Sequence, residues 1–307
     1  MKVLFDADEP IGSPTSATIG NFDGVHMGHK RILAAVKQSA AEKGVGSCVI
    51  TFHPHPQKVL RNIDVPLLLP MRERLRLLEA EGIDYAACYT FTKEIAAMTA
   101  EEFVNEILVG RLHIKHLIVG PDFSFGKNRE GHADLLRELG EKHGFEIEVA
   151  EPFTIGGEVV SSSAIRNLLR AGDMKKAAAF LGYNFYIDGT VGEGEKRGRQ
   201  IGYPTANLET DWEILPREGV YATRARIDGV KHDSITNIGY RPTFGDSKLL
   251  IETHIFDFSG NIYNKRLAVE FVRRIRDEKR FESVDALVAQ IGKDVEQVKQ
   301  ALLAAGK

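Results

Sequence analysis

Apolar residues recur along this chain with two different periods, and the change comes near residue 184. Before it, strand-like and helix-like stretches alternate. Ala17-Thr18-Ile19 predicts a short strand. In 29–44, Ile32, Leu33, Val36 and Ala40 share one helical stripe that Gly44 stops. The run 47–52 predicts a strand, 71–81 a helix closed by Gly82, and 86–91 another strand. A helix is expected from Thr99 to about Val109, with Glu101 and Glu102 suited to its first turn. Strands at 116–120 and 145–150 bracket a helix at 131–142, and a short helix ends at Gly182. Such alternation predicts a parallel sheet with helices on both faces, whose ligands bind beyond the carboxyl ends of the strands.

From residue 185 the helical period gives way to β-rich runs at 185–191, 219–227, 230–238, 249–256 and 266–273. Turn residues separate them, including Asp228-Gly229 and Ser259-Gly260-Asn261. Short antiparallel strands in this number predict a small barrel. Two helices are expected after it, one capped by Ser283 and one at about 294–304. The fold class is therefore α/β plus all-β. Residues 1–183 form a parallel-sheet domain, and residues 184–307 form a small antiparallel β-barrel followed by α-helices.

Length and composition sharpen this picture. A chain of 307 residues builds two cores comfortably. Hydrophobic content of 43%, charged content of 27% and a formal charge of −3 describe an ordinary globular protein with no global field for nucleic acid or an anionic membrane. Two cysteines, Cys48 and Cys88, form no metal-ligand or disulfide pattern, so a reducing, cytoplasmic setting is expected. The N-terminus lacks the apolar stretch of a signal peptide, and no uncharged run reaches membrane-spanning length.

The chemistry gathers at the ends of the predicted strands. Gly20-Asn21-Phe22-Asp23-Gly24-Val25-His26-Met27-Gly28-His29 follows the first strand. His26 and His29 share a face on a helical first turn, with Gly28 leaving room between them, an arrangement suited to phosphate oxygens. His55 sits in a proline-bounded positioning loop, and His53 is given no role. Asp122, Phe123 and Phe125 lie between two glycines at a strand end, where aromatics either line a planar-ring pocket or pack an Ω-loop. Ser161, Ser162, Ser163 and Arg166 open a helix. They read either as an ordinary cap or as hydroxyls and a cation around a polyphosphate.

In the second half, a strand enters the loop Gly192, Gly194, Lys196, Arg197, Gly198, then Pro204-Thr205-Ala206-Asn207. Glycines with adjacent cations make an anion site. Thr205 and Asn207 point the same way in an extended segment and offer hard oxygen ligands suited to Mg²⁺. The spacing matches neither a Walker loop nor a dinucleotide fingerprint. Glu252 is a lone carboxylate in an apolar strand.

GTVGEGEKRGRQIGYPTANL closely resembles the signature of riboflavin kinases. GNFDGVHMGH, with its H-x-G-H, resembles the nucleotidyltransferase superfamily in its FAD synthetase branch, and VSSSAIR is similar to that family's serine-rich element. Together they resemble the prokaryotic bifunctional riboflavin kinase/FAD synthetases over nearly the whole chain. The resemblance implies a Rossmann-like N-terminal nucleotidyltransferase domain that adenylylates FMN. There His26, His29 and Arg166 are catalytic. Asn21, Phe22, Asp23, Gly24, Gly28, Ser161, Ser162 and Ser163 hold ATP, and Asp122, Phe123 and Phe125 face flavin. In the kinase half it implies Gly192, Gly194, Lys196, Arg197, Gly198 and Pro204 for ATP, and Thr205 and Asn207 for Mg²⁺. Glu252 handles the ribityl hydroxyl, Arg276 and Phe281 form a flap over flavin, and Asn237 to Phe244 make a turn at the entrance. ATP is the co-substrate, FMN and FAD are products, and no nucleic acid or membrane is engaged. Rival expectations are a kinase with an inactive adenylyltransferase half, a flavin-sensing regulator, and transfer to another acceptor such as phosphopantetheine.

Overall fold

The structure is a computed structural model describing residues 1–6, 10–194, 197–242 and 247–306; the side chains of 197, 241, 242, 247 and 248 lie outside that description. The chain divides into two compact units, Met1–Ser162 and Ser163–Lys307.

In the first unit the elements run β1 (Lys2–Phe5), β2 (Thr15–Ile19), α1 (Met27–Lys43), β3 (Gly46–His53), α2 (Pro56–Arg61), α3 (Met71–Ala80), β4 (Tyr85–Thr90), α4 (Lys93–Ala97) and α5 (Ala100–Phe103), then β5 (Ile114–Val119), α6 (Ala133–His143), β6 (Glu146–Val149) and a small hairpin of β7 (Thr154–Ile155) and β8 (Glu158–Val159). Six strands form one parallel sheet in the order β1-β4-β3-β2-β5-β6. All residues of β2 are buried, as a strand covered on both faces requires. The predicted stripe of α1 is its buried face, with Leu33, Val36 and Ala40 inside, and Gly44 ends it in the left-handed region. β3 lies on one side of β2 and β5 on the other, so the strand order reverses at β2. The loops after β2 and β5 both leave carboxyl ends beside that reversal, where such sheets bind ligands.

One predicted helix differs in detail. A capping box of Thr99 and Glu102 starts α5, but the helix widens into a π-helical stretch over Val104–Arg111. That stretch puts Val104, Ile107 and Leu108 in the core.

The second unit opens with α7 (Ser162–Ala171), whose first residue belongs to the preceding unit, and α8 (Met174–Leu181). Strand β9 (Tyr186–Gly192), α9 (Arg197–Gln200), β10 (Ala206–Glu209), β11 (Gly219–Ile227), β12 (Val230–Pro242), β13 (Ser247–Ile255), β14 (Arg266–Arg276) and α10 (Val284–Ala305) follow. The strands close a barrel in the order β10-β13-β12-β11-β14-β9, with antiparallel neighbours throughout. Because α8 packs on β14, the contacts divide the chain ahead of residue 184, where the sequence period changes.

Inside the barrel, hydroxyls satisfy one another. Thr223 Oγ1 lies 2.8 Å from both Ser234 Oγ and Thr236 Oγ1, and Thr236 Oγ1 lies 2.9 Å from Thr253 Oγ1; all four residues are fully buried. Strand side chains alternate between faces, so with Thr236 and Thr253 inside, Asn237 and Glu252 face out.

Three expectations are corrected here. β10 was missed because only four residues of strand emerge from the glycine loop. Asn237 to Pro242, expected in a turn, belong instead to β12; Thr243 and Phe244 lie outside the described residues. The two C-terminal helices are one. An internal glycine costs about 1 kcal/mol, and packing of Val298, Ala301 and Leu302 with the ion pair of Asp294 and Arg276 outweighs it at Gly292.

That ion pair joins β14 to α10 from an almost fully buried carboxylate. Asp294→Ala strands the guanidinium and should lower the stability of the second unit by about 3–5 kcal/mol. Urea unfolding measures this, and an unchanged midpoint would contradict the role given to the pair.

Candidate active sites

In the first unit, the chain leaving β2 makes a tight turn. Phe22, Gly24 and Val25 have φ of 48°, 87° and 36°. Left-handed backbone at a branched residue such as Val25 costs about 1–3 kcal/mol, so its surroundings must hold it. They do. The buried Asp23 carboxylate accepts from the Leu68 and Leu69 N–H groups at 2.9 and 3.2 Å. Ser162 Oγ donates to the Asp23 carbonyl at 2.8 Å, tying the serine element to the turn. Thr51 Oγ1 donates to the Asn21 carbonyl at 3.3 Å, and Arg74 donates to the same oxygen. The Asn21 amide lies 3.0 Å from His55 Nε2, while His55 Nδ1 accepts from the Gln57 N–H and caps α2.

His26 is the N-cap of α1, and its Nδ1 accepts from the His29 N–H at 3.3 Å. The two imidazoles stack with centroids 3.6 Å apart and planes 16° from parallel. Gly28 allows this fold-back, because a Cβ there would stand 3.2 Å from the His26 ring and 3.5 Å from the Val160 carbonyl. Burial pushes the His26 pKa down to about 4. His29 is held well below the ordinary value by burial, then by the charges of His26 and Arg74. Both imidazoles are therefore neutral near pH 7 in the ligand-free protein. Their nitrogens act as hydrogen-bonding groups at a helix N-terminus. Among the described residues, buried His29 Nδ1 has no partner. An orphaned nitrogen at a helix N-terminus suits a polar, anionic ligand.

The remaining candidates of this half are placed unevenly. Ser161 is half-buried, Ser163 is exposed and Arg166 is buried on α7; Ser163 and Arg166 belong to the second unit. Asp122 is exposed. Phe125 packs into the core 5.7 Å from Phe103, and the partly buried Phe123 stacks on it at 5.6 Å. Phe123 thus has a ring to offer a planar ligand, while Phe125 mainly supports it.

In the second unit Asn207 of β10 stands opposite Glu252 of β13, which stands opposite Asn237 of β12. These polar residues cross three adjacent strands on the outer face. Thr205 precedes β10 immediately. A Cβ on Gly194 would lie 2.0 Å from Asn207 Nδ2, so the loop backbone presses against that amide and only glycine fits. Gly192 closes β9, and Gly198 lies in α9 beside Tyr203 and Thr205. Lys196 lies outside the described residues, as does the Arg197 side chain.

Two cavities meet at Thr205. One, of about 460 Å³, is lined by Thr205, Glu252, Arg276, Phe281 and the apolar Leu287 and Ile291 of α10. The other, of about 500 Å³, is lined by Arg199, Pro204, Thr205, Phe258, Asn261 and Tyr263. Arg276 forks onto Asp294, with Nε 3.0 Å from both carboxylate oxygens, and lies 5.9 Å from the Phe281 ring centre. Its guanidinium therefore shapes the wall rather than projecting freely.

Sequence reasoning missed several contributors. His254 lies two residues beyond Glu252, on the same strand face, and its Nδ1 donates to the Pro204 carbonyl at 2.8 Å. The period of two was a usable signal. Asn237 donates to Glu278 at 3.0 Å, tying down the segment after β14; no local pattern announces that contact. Among the described residues no cluster of three or more His, Cys, Asp or Glu suits a metal. Neither Thr205 nor Asn207 spends its side chain on a described neighbour, so both oxygens fit a Mg²⁺ that phosphates also hold.

Two family models match, FAD synthetase over residues 8–164 and riboflavin kinase over 181–302. A bifunctional riboflavin kinase/FMN adenylyltransferase of Pseudomonas fluorescens is 42% identical over 280 residues, covering 91% of this chain and 90% of that protein. The Escherichia coli K12 protein of the same name is 38% identical, with 90% and 89% covered, and the Bacillus subtilis one 36%, with 91% and 90% covered. A crystal structure from Streptococcus pneumoniae, named a macrolide-efflux protein, superposes with a TM-score of 0.90 at 30% identity, covering 97% and 98% of the two chains. Its name speaks of transport; among the described residues of this chain no helix is long and apolar enough to cross a membrane.

The neutral imidazoles have a consequence for stability. Between pH 6.5 and about 4 the unfolded chain binds a proton at His26 that the folded chain refuses. Stability of the first unit should fall with pH across that window, by up to about 3 kcal/mol from His26 alone. Urea unfolding at pH 7 and pH 4.5 checks this against His26→Gln, which should lose less; equal losses would contradict it.

Proposed function

The chain belongs to the bifunctional riboflavin kinase/FMN adenylyltransferase family, and from that premise we propose how its two sites divide the chemistry. The enzyme phosphorylates riboflavin to FMN with one ATP and adenylylates FMN to FAD with another. We assign the first reaction to the barrel and the second to the parallel-sheet unit. The cytoplasm, expected from two unpaired cysteines that the structure keeps free and buried, belongs to the same reading.

Kinase chemistry is carried by the meeting of two cavities at Thr205. Riboflavin takes the cavity that holds Glu252, with its rings against Leu287, Ile291 and Phe281. ATP takes the other, with adenine against Phe258 and Tyr263 and phosphates over the glycine loop, Arg199, Lys196 and Arg197. Thr205 and Asn207 would hold Mg²⁺, which draws charge from the transferring phosphoryl group and the leaving ADP. Glu252 accepts the proton of the ribityl 5′-hydroxyl and aims its oxygen at the γ-phosphorus. The new O–P bond forms as the bridge to the β-phosphate breaks, and ADP leaves. His254 fixes the Pro204 carbonyl and with it the position of Thr205.

Adenylyl transfer has a different demand. An FMN phosphate oxygen attacks the α-phosphorus of ATP, and pyrophosphate leaves. No proton needs abstracting, so the site must above all stabilise negative charge. The turn after β2, the N–H groups opening α1, and the imidazoles of His26 and His29 supply donors. Bound polyphosphate raises the imidazole pKa values from their depressed state, so the site gains positive charge on loading. Ser161 and Ser162 take the leaving pyrophosphate, and Phe123 meets the flavin.

The assignment is tested by crossing two substitutions. Glu252→Ala should abolish FMN formation from riboflavin while leaving FMN adenylylation within about twofold. His29→Ala should cut adenylylation by about 100-fold or more and spare the kinase. Both rates are read by chromatography of the flavins. A folded variant that loses both activities would overturn the division.

A further inference from the structure

Arg74 belongs to no motif, yet it is the bulkiest of the fully buried side chains among the described residues. It projects from α3 beneath the turn that follows β2. One Nη donates to the Asn21 carbonyl and lies 3.4 Å from Thr51 Oγ1; the other lies 3.1 Å from Met71 Sδ. Among the described residues its buried Nε has no partner. Among the described residues no carboxylate comes within ion-pair distance of it. Asp23 attracts it electrostatically but spends its oxygens on the Leu68 and Leu69 N–H groups. Guanidinium does not shed its proton in proteins, so a whole charge is buried here with the pull of Asp23 on it but no direct ion pair.

A buried, unpaired cation is retained against a desolvation penalty, and its location suggests the reason. The carbonyl that Arg74 holds belongs to Asn21, next to Phe22 in left-handed backbone and close to Val25 in the same state. The charge also reaches His29, whose pKa it lowers. Arg74 thus acts on both parts of the polyphosphate cradle assigned above, the strained turn and the imidazole of His29, without lining it.

We infer that Arg74 is a positioning residue for the ATP used in adenylyl transfer. It clamps the turn between β2 and α1 through the Asn21 carbonyl, and the polyphosphate of bound ATP adds counter-charge to that of Asp23. This rests on assigning adenylyl transfer to the first unit. Removing the clamp weakens ATP binding there, because the N–H groups of the turn no longer sit pre-set and the charge behind them is gone. The barrel's own ATP site is untouched.

Arg74→Met keeps the bulk and loses both fork and charge; Arg74→Lys keeps the charge. In the full-length protein, kcat/KM for ATP in FMN adenylylation should fall by about 100-fold in Arg74→Met, chiefly through KM, with part restored in Arg74→Lys. The KM for ATP in riboflavin phosphorylation should stay within about twofold of wild type. A merely structural arginine would lower the amount of active enzyme, hence kcat, and leave KM alone. If Arg74→Met does not fold, Arg74→Lys decides alone, by a raised ATP KM confined to adenylylation. If neither folds, or if both show wild-type KM, the inference falls. A wild-type protein that makes no FAD from FMN and ATP would instead sink the functional reading on which it rests.

Discussion

The pairing register of β12 on β13 decides which way a carboxylate faces. Strand side chains alternate, so a slip of one residue would turn Glu252 into the barrel and a threonine out of it. Thr223, Ser234, Thr236 and Thr253 oppose that slip. Their hydroxyls are buried and satisfy one another in this register alone, and a buried hydroxyl left without a partner costs about 1–3 kcal/mol. The polar row Asn207, Glu252, Asn237 on the opposite face follows from the same register. A hydroxyl network that looks like barrel stability therefore also positions the chemistry.

The first unit solves a related problem without a network inside a barrel. Its sheet reverses strand order at β2, and the chain leaving that strand must turn tightly enough to present N–H groups and two imidazoles to one point. Backbone strain at Phe22 and Val25 results, and tethers from distant segments offset it: Leu68 and Leu69, Thr51, Arg74 and Ser162. Burial keeps the stacked imidazoles neutral until an anion arrives.

Much of this was readable from the chain. Periodicity placed β2, the stripe of α1 and the barrel strands, because each is a local pattern imposed by one buried face. The glycine loop and its Thr205–Asn207 pair, and the histidines around Gly28, were legible because spacing alone brings those groups together. What escaped depends on partners far along the chain. Arg74 meets Asn21 across 53 residues, and Arg276 meets Asp294 across 18. Two helices were expected where α10 is one, because the ion pair of Asp294 with Arg276 is invisible in one dimension. The sequence left Phe123 and Phe125 between a ring pocket and a packed loop, because the contact of Phe125 with Phe103 lies on a different element.

The central claim is that one polypeptide carries two complete and separate phosphate-transfer sites that act in series on one flavin. It is tested most directly by following wild-type protein with riboflavin, ATP and Mg²⁺ over time, separating the flavins while counting ADP and pyrophosphate. The account predicts FMN that rises and then falls as FAD accumulates, with one ADP and one pyrophosphate released for each FAD. FAD formed without ADP, or FMN that accumulates with no pyrophosphate, would contradict it.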